Sequence, residues 1–153
     1  MKNRPIIFPK SIKAIFFDLD NTLINRDQAF EYYLIDFFKQ QNQLETWSKN
    51  KKEILIKDNH GYTKRIDFFN FLTQKFVSKE AFLAYQKENL VADFVEEISR
   101  ELVEKISKLN EIHLLGIMTN GGKENQLKKI QKAGLKSLFL EEQIFISGEI
   151  GFQ

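Results

Sequence analysis

Two short apolar runs, each stopping on a polar turn, constrain this chain more than anything else in it. The first comprises Ile12, Ala14, Ile15, Phe16 and Phe17 and is closed by Asp18. The second, Ile112-His113-Leu114-Leu115-Gly116-Ile117-Met118, is closed by Thr119-Asn120-Gly121-Gly122. Nearly continuous apolar runs of this length fit strands buried on both faces, as in a parallel sheet. A third run, Ile144-Phe145-Ile146, leads into Ser147-Gly148-Glu149. Between the first two runs the period changes. Phe30, Tyr33, Leu34, Phe37 and Phe38 recur at three- and four-residue steps, which predicts an amphipathic helix. Trp47, Ile54 and Leu55 predict a second helix, and Ile66, Phe69, Leu72 and Phe76 a third. Ser78 is the expected N-cap of a fourth, through Ala81, Phe82 and Tyr85. The aromatic stripes at 30–38 and 66–76 read as helix-bundle core.

Residues 94–109 predict one more helix, with Val95, Ile98, Leu102, Ile106 and Leu109 on one face. A last helix, with Leu127 and Ile130 inward, is expected to end at Gly134. Residues 1–10 read as a loose arm. Strands alternating with helices argue for an α/β fold with a parallel sheet. A length of 153 residues allows one modest domain, or a small one with an inserted cap.

Composition removes several classes of function. The net charge of +2 comes from 23 basic and 21 acidic residues that are interspersed, which does not imply a nucleic-acid partner. The absence of cysteine excludes disulfides, zinc-thiolate sites and thiol nucleophiles. Pro5, Pro9, Lys10 and Lys13 interrupt the N-terminal stretch, so no signal-peptide core is present, and no apolar run is long enough to span a bilayer. The expected location is the cytoplasm.

Asp18 and Asp20 stand at the carboxyl end of the first run, the edge where open α/β sheets bind ligands. A carboxylate there can attack a phosphoryl group, and a second one two residues on can protonate the leaving oxygen and later activate water. Two acids this close also favour Mg²⁺, a hard cation that takes oxygen ligands. A polar turn explains the same two residues by themselves. Gly116 to Gly122 ends a strand and opens a helix, where free N–H groups and the helix dipole suit phosphate and the Thr119 hydroxyl adds a donor. A plain glycine-rich turn is the alternative.

The longer strings resemble a known family. Phe16-Phe17-Asp18-Leu19-Asp20-Asn21-Thr22-Leu23 resembles the first motif of the haloacid dehalogenase superfamily, and Thr119-Asn120-Gly121, followed by Gln126, Lys128 and Leu135, resembles the second. The resemblance spans about residues 12–153. It implies a Rossmann-like, three-layer parallel core, C-terminally incomplete, from residues 1–24 and 91–153, with an α-helical cap at 25–90. It implies Asp18 as nucleophile and Asp20 as general acid/base, with Asp18 and the Asp20 carbonyl holding Mg²⁺. Thr119, Asn120 and Gly121 would bind the substrate phosphate. Aspartate at position 20, where dehalogenases proper carry tyrosine, favours a phosphatase. The implied activity is Mg²⁺-dependent hydrolysis of a small phosphorylated metabolite, such as a nucleoside monophosphate or sugar phosphate, through an aspartyl-phosphate.

The family also uses a later lysine and a later acidic pair. Ser147 to Gln153 resembles the run leading into that lysine. Lys123, Lys128 and Lys129 come too early and read as solvated helix residues. Impaired turnover is therefore expected of this chain. So is an exposed edge at Ile12–Phe17 that invites self-association or a partner chain. A non-catalytic fragment, or a partner-binding half, is the alternative. His113 reads as a packed or edge residue. His60 reads as an exposed turn or a substrate-facing cap loop, and Lys64 and Arg65 as a solvated helix start.

Overall fold

The computed structural model describes residues 12–147, so the expected N-terminal arm and the run 148–153 lie outside the described residues. The chain forms strand β1 (Ala14–Phe17), then helices α1 (Arg26–Gln40), α2 (Leu44–Asp58), α3 (Arg65–Lys75) and α4 (Lys79–Glu88). Helix α5 (Arg100–Asn110), strand β2 (Leu114–Thr119), helix α6 (Lys123–Lys132) and strand β3 (Ile144–Ile146) follow. The strands make one parallel sheet in the order β1-β2-β3, with Ile15 opposite Leu115 and Met118 opposite Phe145. The architecture is α/β, as the alternation of periods predicts.

Side-chain caps place three of the six helix starts among the described residues. The Asn25 side chain accepts from Gln28 N at 3.1 Å, Ser78 from Ala81 N at 3.3 Å and Ser99 from Leu102 N at 3.2 Å. Each satisfies one of the orphan donors of a first helical turn. The Ser99 cap explains why α5 begins at residue 100 rather than 94. Val95 and Ile98 still reach the core, but from a non-helical lead-in whose Ile98 N–H bonds Ala133 O at 3.2 Å.

Two apolar clusters hold the structure. One gathers Leu115, Ile117, Ile106, Ile130 and Leu135 between the sheet and helices α5 and α6. The other gathers Phe30, Leu34, Phe37, Phe38, Trp47, Leu72 and Phe82 among α1–α4. Phe37, Phe38 and Phe82 are essentially sealed from solvent. Truncating any one to alanine would cost about 3–5 kcal/mol. Val91 and Phe94 pack against both clusters.

Of the three layers expected, residues 12–147 supply the sheet and one helical layer. Alternate positions show it: Leu115, Ile117 and Ile146 are buried, while Phe16, Leu114, Met118 and Phe145 are exposed. The strands are thus apolar on both faces, and the described residues cover only one. Phe16 and Phe145 meet edge-on across the bare face, 5.6 Å between centroids. His113 precedes β2, the central strand, and is half-buried with Nδ1 2.9 Å from Ile12 O, so of the two readings, packed or edge, the position fits the packed one. Among the described residues, no helix is long and apolar enough to cross a membrane.

Candidate active site

Strands β1 and β2 lie side by side and end at the same edge. Asp18 follows the tip of one, and Thr119 closes the other. After Asp20 the chain turns tightly. The Leu23 and Ile24 amides bond Leu19 O at 3.0 and 3.1 Å, and Asn21 takes φ +59°, which asparagine tolerates better than most residues. Asp18, Asp20, Thr119, Asn120 and Gly121 all line one cavity of about 800 Å³. Its other walls come from α1, α3, α4 and the turn after α2.

The two carboxylates differ in their partners. Asp18 is exposed and accepts one bond, from the Thr22 hydroxyl at 3.4 Å. Asp20 is held on both oxygens by Lys129 Nζ, at 2.7 and 2.8 Å, and by Gln126 Nε2 at 3.2 Å. Lys129 is therefore no solvated residue: its side chain is only 4% exposed. Burial holds its ammonium below the ordinary lysine pKa, and Arg26 and Arg65 push the same way against the attraction of Asp20.

Gln126 connects the two strand tips. Its two Nε2 protons are shared among three acceptors: Asp20, Thr119 Oγ1 at 2.8 Å and Asn120 O at 2.5 Å. The Thr119 hydroxyl thus acts as acceptor toward Gln126, which leaves its single proton for another oxygen. Gly121 runs at φ +130°, and a side chain there would press on the Gln126 amide at 3.3–3.4 Å. Helix α6 starts two residues later, so the turn from Asn120 to Gly122 lies at a helix N-terminus suited to an anion.

A second cluster ties the turn after α2 to the start of α1. Arg26 lines the cavity and pairs with Asp58 through both guanidinium nitrogens, Nη2 to Oδ1 at 3.0 Å and Nη1 to Oδ2. Burial disfavours that guanidinium, but the Asp58 bond and charge, with Asp20 and Asp27, outweigh it and raise its pKa. Asp58 also accepts from Gly61 N at 3.0 Å. Gly61 has φ +86°, and a Cβ there would fall 3.1 Å from the Arg26 guanidinium carbon. His60 stands at the cavity rim, largely exposed, and pairs through Nδ1 with Asp27, as an exposed turn residue would.

Three residues of this site were not legible as such in the sequence. Gln126 carries no role there beyond motif similarity, Lys129 reads as solvated, and Arg26 draws no notice. The signal for Lys129 was its helical step: Gln126, Lys129, Ile130 and Ala133 share one buried face.

With this geometry in hand, the comparisons are consistent. Residues 12–150 match the family model described as haloacid dehalogenase-like hydrolase. Among solved structures, the chain is similar to the HAD-hydrolase YfnB from Bacillus subtilis bound to magnesium, at 24% identity and TM-score 0.65 over 93% of this chain and 66% of that one. A HAD-superfamily hydrolase of subfamily IA from Geobacter sulfurreducens matches at 13% identity and TM-score 0.68, over 92% and 65%. A HAD family hydrolase from Deinococcus radiodurans, solved with bound phosphate and sodium, matches at 19% and 0.66, over 94% and 61%. The chain thus spans less than two thirds of the length of each of these structures. No curated protein matches it.

Proposed function

The chain belongs to the haloacid dehalogenase-like hydrolases, and from that premise we propose that it is a phosphomonoester hydrolase acting on a small phosphorylated metabolite through an aspartyl-phosphate at Asp18. The observation that carries the reading is the shared cavity. An exposed, weakly bonded carboxylate and a threonine hydroxyl with its proton uncommitted line one space.

The steps follow from the residues. Asp18 Oδ attacks phosphorus and forms the acyl phosphate while the ester P–O bond breaks. The leaving oxygen takes its proton from the Asp20 carboxyl. Water then attacks the same phosphorus, Asp20 accepts the water's proton, and phosphate leaves with the Asp18 carboxylate restored. Thr119 and the α6 N-terminus hold the phosphate oxygens during both transfers. Once Asp20 has given up its proton, Lys129 holds the resulting carboxylate on both oxygens and adds positive charge beside the transferring group.

The donors fit Mg²⁺ in part. The Asp18 carboxylate is a hard, exposed oxygen donor, whereas the carboxylate of Asp20 is engaged by Lys129 and Gln126. Among the described residues no group of three or more acidic or histidine side chains gathers for a metal. A Mg²⁺ here would take Asp18, and the main-chain carbonyl of Asp20 as the family pattern implies, completing its shell with water and substrate phosphate. When bound it would offset repulsion between the anionic nucleophile and the anionic phosphate. The test is phosphate release from a phosphomonoester panel in Mg²⁺ by the wild type and Asp18→Asn. A loss of at least ~10³-fold is expected from removing the nucleophile. Unchanged release by Asp18→Asn would end this reading.

A further inference from the structure

The cavity's far wall narrows the substrate class. This inference rests on the phosphohydrolase reading and extends it to the body of the ester. Large apolar residues exposed to solvent are ordinary when scattered. Here three of them, Tyr62, Ile66 and Leu83, come from three separate segments and line the same cavity as Asp18 and Thr119. Their exposure is 85%, 60% and 42%. Ile66 opens the apolar stripe of α3, yet it is not part of the buried cluster that Leu72 joins. Behind them Phe69 and Phe82 stack, 5.9 Å apart and 23° from parallel, and both also line the cavity.

The space is far larger than a phosphate group needs and falls in the range of small-molecule sites. Its charged side chains come from the strand tips, α6, the start of α1 and the segment from Asp58 to Arg65. A polyhydroxylated body placed against Ile66, Leu83 and Phe69 would gain no hydrogen bond from those three side chains, and its partners on this wall would be limited to neighbours such as Thr63, Arg65 and Gln86. A planar aromatic body would bury apolar area against the same atoms and could pack on the partly exposed ring of Phe69. We infer that the substrate is a phosphomonoester whose body beyond the phosphate is a planar aromatic ring, and that Tyr62, Ile66 and Leu83 form the surface that receives it.

The test uses the whole chain and needs no turnover. Phosphonates that cannot be hydrolysed are titrated calorimetrically in Mg²⁺: benzylphosphonate, methylphosphonate, and the glucose 6-phosphate analogue with carbon in place of the ester oxygen. Benzylphosphonate should bind at least about tenfold tighter than either of the others, in keeping with the discrimination apolar pockets achieve. Ile66→Ser and Leu83→Ser should each weaken benzylphosphonate several-fold and leave methylphosphonate unchanged. Equal binding of the sugar analogue and benzylphosphonate would overturn the inference, as would indifference to both substitutions. If none of the three binds, the phosphate site itself fails, and the hydrolase reading falls with this one.

Discussion

Replacing Lys129 by methionine separates chemistry from stability at this site. The substitution keeps the unbranched buried stem and removes only the ammonium. Breaking a fully buried ion pair typically costs about 3–5 kcal/mol, because the surviving charge is left without solvent or partner. That figure is too large here. The Asp20 side chain is 28% exposed and keeps Gln126 at 3.2 Å, so water can take over much of the lost contact. The ammonium itself is costly to bury, since its pKa lies below the ordinary lysine value with burial as the main cause. These opposing effects leave an expected change of about 0–2 kcal/mol. Activity should respond differently. Losing one preorganised charge beside a transferring phosphoryl group costs about 10²–10³ in kcat. Chemical denaturation and steady-state assays on the same preparations decide the matter. The pH profile adds a check on sign. A lysine held low releases its proton in the folded state before the unfolded chain does. Wild-type stability should therefore gain on the alkaline side as pH climbs toward 10.5, and should lose that gain as pH falls through the lower folded pKa. The difference between wild type and Lys129→Met should show this slope, with all other groups cancelling. Full activity in Lys129→Met, or a stability loss above ~4 kcal/mol matching the activity loss, would refute the reasoning.

Other expectations follow from single contacts. Thr119→Val keeps the shape and removes the hydroxyl, so phosphate affinity should fall by about 10-fold or more while the melting temperature moves little; unchanged phosphate binding would take Thr119 out of the site. Asp27 is held below the ordinary carboxylate pKa: partial burial opposes this, but the bonds from His60 and Asn21 and the charges of His60 and Arg26 prevail. Its stabilising share is present above pH 3.8 and vanishes as pH falls through the folded pKa, so Asp27→Asn should flatten the acid limb of the stability profile. The bare sheet face should drive self-association. Phe16→Ser with Met118→Ser should lower the mass seen by light scattering at high concentration, and an unchanged monomer in both proteins would remove that proposal.

Much of the fold can be read from the sequence because strands and helices announce themselves by period. β3 spans the very residues, Ile144–Ile146, that the apolar run predicts. The strand runs misled in one respect. Phe16 and Met118 are as apolar as Ile15 and Ile117, and a continuous run cannot tell which of its faces is covered. The start of α5 slipped because Val95 and Ile98 keep a helical spacing while lying in non-helical backbone. At the site, Asp18, Asp20 and Thr119 were legible since their chemistry sits at strand ends. Lys129 was not, because a lysine on a helix is solvated in most proteins and only its contact with Asp20 makes it otherwise. Ile66 likewise looks like core until α3 is set against a cavity.

The turn after α2 carries a dependency that neither partner's chemistry suggests alone. Gly61 has no side chain, and the guanidinium of Arg26 occupies the room that one would need. A Cβ at 61 would press the Arg26 guanidinium by a few tenths of an ångström and so bear on its pairing with Asp58, the link by which helix α2 grips the start of α1. Position 61 and position 26 therefore behave as one unit of variation. A shorter cation at 26 would make room for an alanine at 61 but would not relieve the backbone strain of its positive φ, so glycine there serves both the turn and the Arg26–Asp58 pair.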